Sequence, residues 1–193
     1  MNHHEMVTAP ERYEVEETLR DGMTIRIRAI RADDRERLHE AFAGLSQQSV
    51  YYRFMSFKRD LSPEELTQLT ELDFKDHVGL VATITEYGRE LIIGVGRYVR
   101  GTEAYRAEIA LAVLDDYQGH GIGRLLVEHL NHIARAGGIT EFEANVAGDN
   151  VPALELFGNI GLKVRRTLDS GMVHLYFSTG EPDDPAEENS FAA

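Results

Sequence analysis

The stretch Asp115-Asp116-Tyr117-Gln118-Gly119-His120-Gly121-Ile122-Gly123-Arg124 puts a glycine at every second position from 119 to 123. It follows the apolar run AEIALAV and precedes IGRLLVEHL, so a strand should end, and a helix begin, at the glycines. The first turn of a helix carries unpaired N–H groups and partial positive charge. Glycine lets a phosphate oxygen reach those groups with no Cβ in the way. Residues 118–124 therefore read as an anion-binding loop whose donors are backbone groups. Two other phosphate loops are excluded by spacing. A G-x-G-x-x-G fingerprint meets Arg124, and a Walker loop would need Gly-Lys-Ser/Thr where Gly123-Arg124-Leu125 stands. Cysteine is absent, which removes thiol nucleophiles, thiolate metal sites and disulfides. His129 and His132 have a metal-ligand spacing, but no third ligand accompanies them. A solvated helix face is the expectation there, and no metal site is assigned. His3-His4 lies in a loose terminus and carries no reading.

The elements that must hold this loop follow from periodicity. Tyr13–Leu19 and Met23–Ile30 flank Asp21-Gly22, a hairpin signal. Asp33 is expected to cap a helix through about Ala43, and a second helical stretch runs from Ser46 to about Met55. Ser62-Pro63-Glu64-Glu65 combines a cap, a proline in the first turn and acidic residues, opening a helix to about Leu72. His77–Thr85, Glu90–Arg100 and Ala104–Val113 form an antiparallel meander. The loop helix spans about Gly121 to Arg135, with Ile122, Leu126, Leu130 and Ile133 as its apolar stripe. Strand Glu141–Val146, a helix from Asn150 to about Asn159, and strands Lys163–Leu168 and Met172–Ser178 complete the order. The fold class expected is α+β (mixed α/β), a central mixed, mainly antiparallel sheet with helices on both faces.

The chain has 193 residues, 42% of them hydrophobic, which suits one domain. Residues 1–12 and the acidic stretch 180–193 are expected to be disordered around a domain at 13–179. The net charge of -13 lies mostly at the ends: residues 1–21 carry -4 and residues 181–193 carry -5. Such a balance opposes binding to nucleic acid. No run of about 18 apolar residues and no signal-peptide core is present, so a cytoplasmic protein without membrane contact is expected, as monomer or homodimer.

Gln118-x-x-Gly121-x-Gly123, between a strand and a helix, resembles the pyrophosphate loop [RQ]-x-x-G-x-[GA] of the GNAT superfamily of acyl-CoA-dependent N-acyltransferases. Asn150-x-x-Ala153, Phe157 and Gly161-Leu162 resemble the later helix of that fold, and the element order matches from about residue 23 to 178. IRAIRADD (27–34), LSQQSVYYRF (45–54) and LSPEEL (61–66) are similar to the acetyltransferase domain of Pat-type bacterial protein lysine acetyltransferases. Those are often fused to a CoA-ligase-like or cyclic-nucleotide-binding region. The short N-terminal stretch here is expected to hold neither, so such regulation is not carried over.

The resemblance implies acetyl-CoA as cosubstrate and an amine as acceptor. It places the pantetheine arm along the backbone of Leu111 and Val113, and the pyrophosphate within Gln118, Gly119, His120, Gly121, Ile122, Gly123 and Arg124. Asn150 would touch the pantetheine, with helix capping as its other reading. A lysine amine has a reference pKa of about 10.4, so making it neutral near physiological pH costs roughly 4 kcal/mol. A carboxylate base, partly desolvated, would meet that need. Glu108 is the candidate. Alternation sets Ala104, Arg106, Glu108, Ala110 and Ala112 on one face, with small alanines leaving room for an acyl group. Pat-type enzymes also place a glutamate base in a stretch matching AEIA. The competing reading is a strand glutamate paired with Arg106 or Arg97, and a bulge in this strand would upset the parity. Glu143 on the next strand is a rival base, and Asp149 reads as part of a helix start. The family's usual tyrosine proton donor is replaced by Phe157, so no general acid is assigned. Tyr51 and Arg53 are acceptor-site candidates by resemblance.

The expected function is transfer of acetyl from acetyl-CoA to a primary amine, foremost a protein lysine. The alternatives are a small-molecule amine acceptor and a non-catalytic acyl-CoA-binding regulatory module. An open acidic groove would favour a lysine peptide, whereas a closed, partly apolar pocket would favour a metabolite.

Overall fold

A computed structural model describes residues 9–180. The ends expected to be disordered fall mostly outside them, except that Pro10–Arg12 form a 3-10 turn leading into buried Tyr13. Strands β1 (Glu14–Thr18) and β2 (Thr24–Ala29) pair as the hairpin anticipated at Asp21-Gly22, with Val15 opposite Ile27. Helices α1 (Arg35–Ala43), α2 (Gln47–Phe54) and α3 (Pro63–Thr70) follow. Strands β3 (His77–Glu86), β4 (Arg89–Arg100) and β5 (Arg106–Val113) come next. Helix α4 (Ile122–Ala136) leads to β6 (Glu141–Ala147), α5 (Val151–Gly158), β7 (Val164–Asp169) and β8 (Met172–Ser178). The eight strands are ordered β1-β2-β3-β4-β5-β6-β8-β7. Every pairing is antiparallel except β5 with β6.

Local chemistry explains the helix starts. Ser62 Oγ accepts from Glu65 N while the Glu65 carboxylate accepts from Ser62 N, and Pro63 fills the first helical position. Ser46 Oγ accepts from Ser49 N at the head of α2. At α1 the expected cap is displaced by one residue. Ala32–Asp34 form a 3-10 turn, and Asp34, not Asp33, turns inward. Its carboxylate accepts from Arg31 N at 2.8 Å and from both terminal nitrogens of Arg28 at 2.7 Å. Arg28 and Asp34 are both fully buried, and Arg37 and Glu90 complete the cluster. A buried arginine needs such a partner, which is why the inner aspartate wins.

Three further corrections concern boundaries and one face. Helix α3 ends at Thr70 rather than Leu72, and β5 starts at Arg106, leaving Ala104 in the preceding turn. His129 does not lie on a solvated face: it is buried, and Tyr13 Oη lies 2.6 Å from its Nδ1. The apolar stripe of α4 packs on the sheet with α5, burying Leu126, Leu130 and Ile133 beside Ile109, Phe142 and Phe177. Helices α1–α3 cover the other face through smaller clusters around Leu38 and Val81, and around Phe42, Val50 and Leu61. Helices thus cover both faces, as expected. Among the described residues no helix is long and apolar enough to cross a membrane.

Candidate active site

The glycine loop lies where β5 ends and α4 begins, on a cleft of about 1040 Å³. The three glycines have two different jobs. Gly119 and Gly121 adopt φ of 80° and 93°, which side chains with a Cβ rarely tolerate. Gly123 lies against the neighbouring helix, where an added Cβ would come within 3.2 Å of Leu156. The first α4 ladder bond runs from Leu125 N to Gly121 O, so the N–H groups of residues 121–124 have no partner one turn back. Ile122 contributes only its N–H, since its side chain is core. His120 Nδ1 is 2.6 Å from Asp21 Oδ2, tying the loop to the β1–β2 turn. Arg124 pairs with Glu128 along α4 at 2.7 Å.

Beside the loop the sheet comes apart. The parallel β5–β6 ladder has only three rungs, Arg106–Glu141, Ala107–Phe142 and Glu108–Glu143. Beyond Glu108 the strands diverge. Leu114 N donates to Ile93 O on β4, so by alternation the backbone groups of Leu111 and Val113 point away from β4, into the opening. The Gln118 side chain folds back and donates to Val113 O at 3.0 Å. Asn150 caps α5 by accepting from Ala153 N at 3.2 Å, so the capping reading holds, and the residue also lines the cleft.

Glu108 stands on the last rung, at the point of divergence. The β4–β5 register runs unbroken from Ala107 to Val113, so the parity of Glu108, Ala110 and Ala112 stands; the bulge lies instead between β3 and β4, at Ala82/Thr83. The carboxylate is exposed, so the desolvation expected for a base is missing in the free chain. Among the described residues it is not tied up in an ion pair. Arg106 turns to Glu141 at 2.6 Å and to Glu103, while Asn145 Nδ2 approaches Glu108 Oε1 at 3.5 Å. His174 Nδ1 lies 2.7 Å from Asn145 Oδ1, so a short polar chain leads away from Glu108. Glu143 is its register partner on the same face.

Helix α2 forms the far wall. Asp115 accepts from Ser46 N, Ser46 Oγ and Ser49 Oγ at 2.7–3.0 Å. These bonds, with burial opposing them, hold its carboxyl below the usual range. Tyr52 Oη reaches across to Asp149 O at 3.2 Å. Tyr51 is exposed and leans on Phe57 rather than on the cleft. Arg53 lines both the cleft and a second, mainly apolar cavity of about 60 Å³ under α1–α3, which Arg97 also lines. Phe157 is core against Phe177 and offers no proton.

Sequence reasoning gave no site role to Tyr52, Asn145 or His174, and named Arg97 only as a possible partner of Glu108. Their placement follows from strand order and cross-strand register, which local patterns do not carry. His3-His4 lies outside the described residues. Among the described residues no cluster of three or more metal-ligating side chains occurs.

Residues 47–162 match the Acetyltransferase (GNAT) family. Acetyltransferase PA5475 of Pseudomonas aeruginosa is 31% identical over 153 residues, covering 79% of this chain and 82% of that one. Acetyltransferase Pat of Mycolicibacterium smegmatis is 33% identical over 144 residues, covering 74% of this chain, which spans 42% of that longer protein. The crystal structure of the GNAT domain of S. lividans PAT superposes with a TM-score of 0.78 at 36% identity, covering 86% of this chain and 96% of that one.

Proposed function

The chain belongs to the GNAT family of acetyltransferases, and from that premise we propose that it passes acetyl from acetyl-CoA to a protein lysine amine, with Glu108 as general base. The observation that carries this reading is the position of Glu108 at the last β5–β6 rung, in no ion pair with a described arginine and beside the alanines of its own face. The diphosphate of CoA would lie against the N–H groups of residues 119–124, near the positive end of α4. The pantetheine would add to β5 through the backbone of Leu111 and Val113, with the Asn150 amide within the same cleft. That strand addition would bring the thioester to Glu108. CoA would also exclude the water that now bathes the carboxylate, supplying the missing desolvation.

In the reaction Glu108 takes a proton from the acceptor ammonium, and the neutral nitrogen attacks the thioester carbonyl. The C–N bond forms, the attacking nitrogen gives its second proton to solvent, the C–S bond breaks, and CoA leaves as the thiolate. Phe157 cannot protonate it, so solvent does. Full-length Glu108→Gln should lower turnover about 10²–10⁴-fold, the range of a lost general base, while acetyl-CoA affinity stays near wild type. Free thiol release with an amine panel measures the first quantity and calorimetry the second. Unchanged turnover would take Glu108 out of the role, and Glu143→Gln run beside it tests the neighbour. CoA binding without any amine-dependent thiol release would instead support a non-catalytic acyl-CoA-binding module.

The Pat relatives support the lysine acceptor. A small-molecule amine is the second reading, and one observation favours it: the cavity joining the cleft near Ala112 is small, mainly apolar and lined by two arginines rather than by acids.

A further inference from the structure

Arg53 ends α2, and Arg97 lies in β4 directly opposite Ala110 of β5. Both are partly buried. Among the described residues, the other buried or partly buried arginines each reach a carboxylate: Arg28 and Arg37 to Asp34, Arg100 to Asp76, Arg106 to Glu141. Arg53 and Arg97 form no ion pair and no hydrogen bond with a described residue. Arg53 has only the ring face of Phe54, 5.1 Å from its guanidinium carbon. The two guanidiniums act on each other and both feel Glu108. Burial first, then the Arg97 cation, pull Arg53 down to about 10 against the opposing pull of Glu108, and burial lowers Arg97 as well. Two like charges held together out of water raise the free energy of the empty protein, and an anion between them would relieve it.

The place of the pair says where such an anion would come from. Arg53 and Ala112 line both the cleft and the 60 Å³ cavity, so the two spaces meet at Ala112, on the face of β5 that also carries Glu108, although Glu108 itself lines neither. Ala110 and Ala112 present only methyl groups between β5 and the guanidiniums. An acetyl group has nothing to offer an arginine there. We propose that Arg53 and Arg97 form a carboxylate subsite, and that one substrate of this enzyme carries a carboxylate a few atoms from the reacting carbonyl. Planar guanidinium forks suit a carboxylate better than any other common anion of this size except phosphate. The inference rests on the acyltransferase reading of the cleft and narrows its substrate class, replacing either acetyl as the group transferred or a protein lysine as the acceptor. Two sources supply the same chemistry. The donor can be a dicarboxylic acyl thioester such as malonyl- or succinyl-CoA, or the acceptor can be an amine with its own carboxylate, such as an amino acid. Bond making and breaking are the same in both cases. The thioester C–S bond is exchanged for C–N, one ammonium proton goes to Glu108 and a second to solvent, CoA leaves as thiolate, and the distant carboxylate stays intact.

The test uses the full chain, with Arg53→Gln and Arg97→Gln made separately. In the donor arm, kcat/KM for succinyl-CoA is compared with that for butyryl-CoA, using a lysine peptide amidated at its C-terminus. In the acceptor arm, acetyl-CoA is held constant and amino acids are compared with their amides. Wild type should prefer the carboxylate in one arm by about tenfold or more, the scale of one charge-assisted hydrogen bond. Each variant should lose most of that ratio while melting no lower than wild type, since it removes one of two repelling charges. The proposal is overturned if neither arm shows a preference or if the preference survives both substitutions. It is equally overturned if the variants shift only the pH–rate profile, since the pair would then act on the amine proton. Calorimetry of acetyl-CoA on wild type separates the two levels. Binding with two flat arms removes the subsite alone, whereas no binding removes the reading of the cleft.

Discussion

The loop glycines answer two different physical demands, and that difference is testable at the residue scale. Gly121 has φ 93° with nothing within 4 Å of where a Cβ would stand, so space is free and only backbone strain opposes a side chain. Left-handed backbone costs an L-residue roughly 1–2 kcal/mol. If Gly121 holds the N–H groups of α4 open toward CoA, Gly121→Ala should weaken acetyl-CoA about tenfold by calorimetry. Gly88, φ 78° in the turn between β3 and β4, is the control: Gly88→Ala carries the same strain at a residue that does not line the cleft and should leave affinity unchanged. Equal losses in both would mean that the effect is global. The alternating glycines were legible because a bare backbone at a strand–helix junction has few other uses. That Gly123 answers to Leu156 was not, because the spacing looks the same whether a glycine frees a backbone or admits a neighbouring helix. Arg53 could be named as an acceptor-site candidate from its segment, while Arg97 could be named only as a possible partner of Glu108, since only the β4–β5 register sets it opposite Ala110.

Among elements, the junction of β2 with α1 shows how a single buried charge sets a boundary. Arg28 leaves β2 toward the helical face and finds Asp34 below α1, with Glu90 of β4 on its other side at 2.8 Å. One cluster thereby fastens three elements of the sheet and its helical cover. Burial alone would raise the Asp34 carboxyl, but the Arg28 hydrogen bonds, the Arg31 N–H and Arg37 hold it below its usual range. Removing one partner strands a buried cation, so Asp34→Ala should cost about 3–5 kcal/mol. Urea unfolding measures this directly. Asp33→Ala, one residue earlier on the exposed side, should stay within about 0.5 kcal/mol of wild type. A reversal of that order would refute the structural account of the IRAIRADD segment. Most element boundaries were readable from caps and periodicity. Here two adjacent aspartates competed for one position, and the winner was decided by Arg28, six residues before Asp34, whose inward turn no local pattern reveals.

Across the whole molecule, β1 is joined to α4 through His129, and pH acts on that joint. Tyr13 is held neutral by burial, with Glu17 adding to the effect, at about 12. Its hydroxyl therefore donates to His129 Nδ1, which leaves the ring proton on Nε2, 3.2 Å from Glu17 Oε1. Burial lowers the His129 pKa most, Glu17 opposes this, and His132 adds to it; Glu128 also opposes. The folded chain thus holds His129 neutral at a pH where the unfolded chain, titrating near 6.5, has begun to take up the proton. Below that value the unfolded state binds more protons, so stability must fall as pH drops from about 6.5 toward the lower folded pKa. His77 is lowered by burial and then by Arg97, and contributes with the same sign. The carboxylates held low, Asp34 and Asp115 among them, lose their contribution only at more acidic values, below about 4. Melting temperature should therefore decline in two separate steps on acidification. His129→Gln should flatten the first step without abolishing it, because His77 remains, and should leave the second in place. A first step of undiminished size in that variant would mean that His129 is already protonated in the fold and that Glu17, rather than burial, governs the joint between the hairpin and the loop helix.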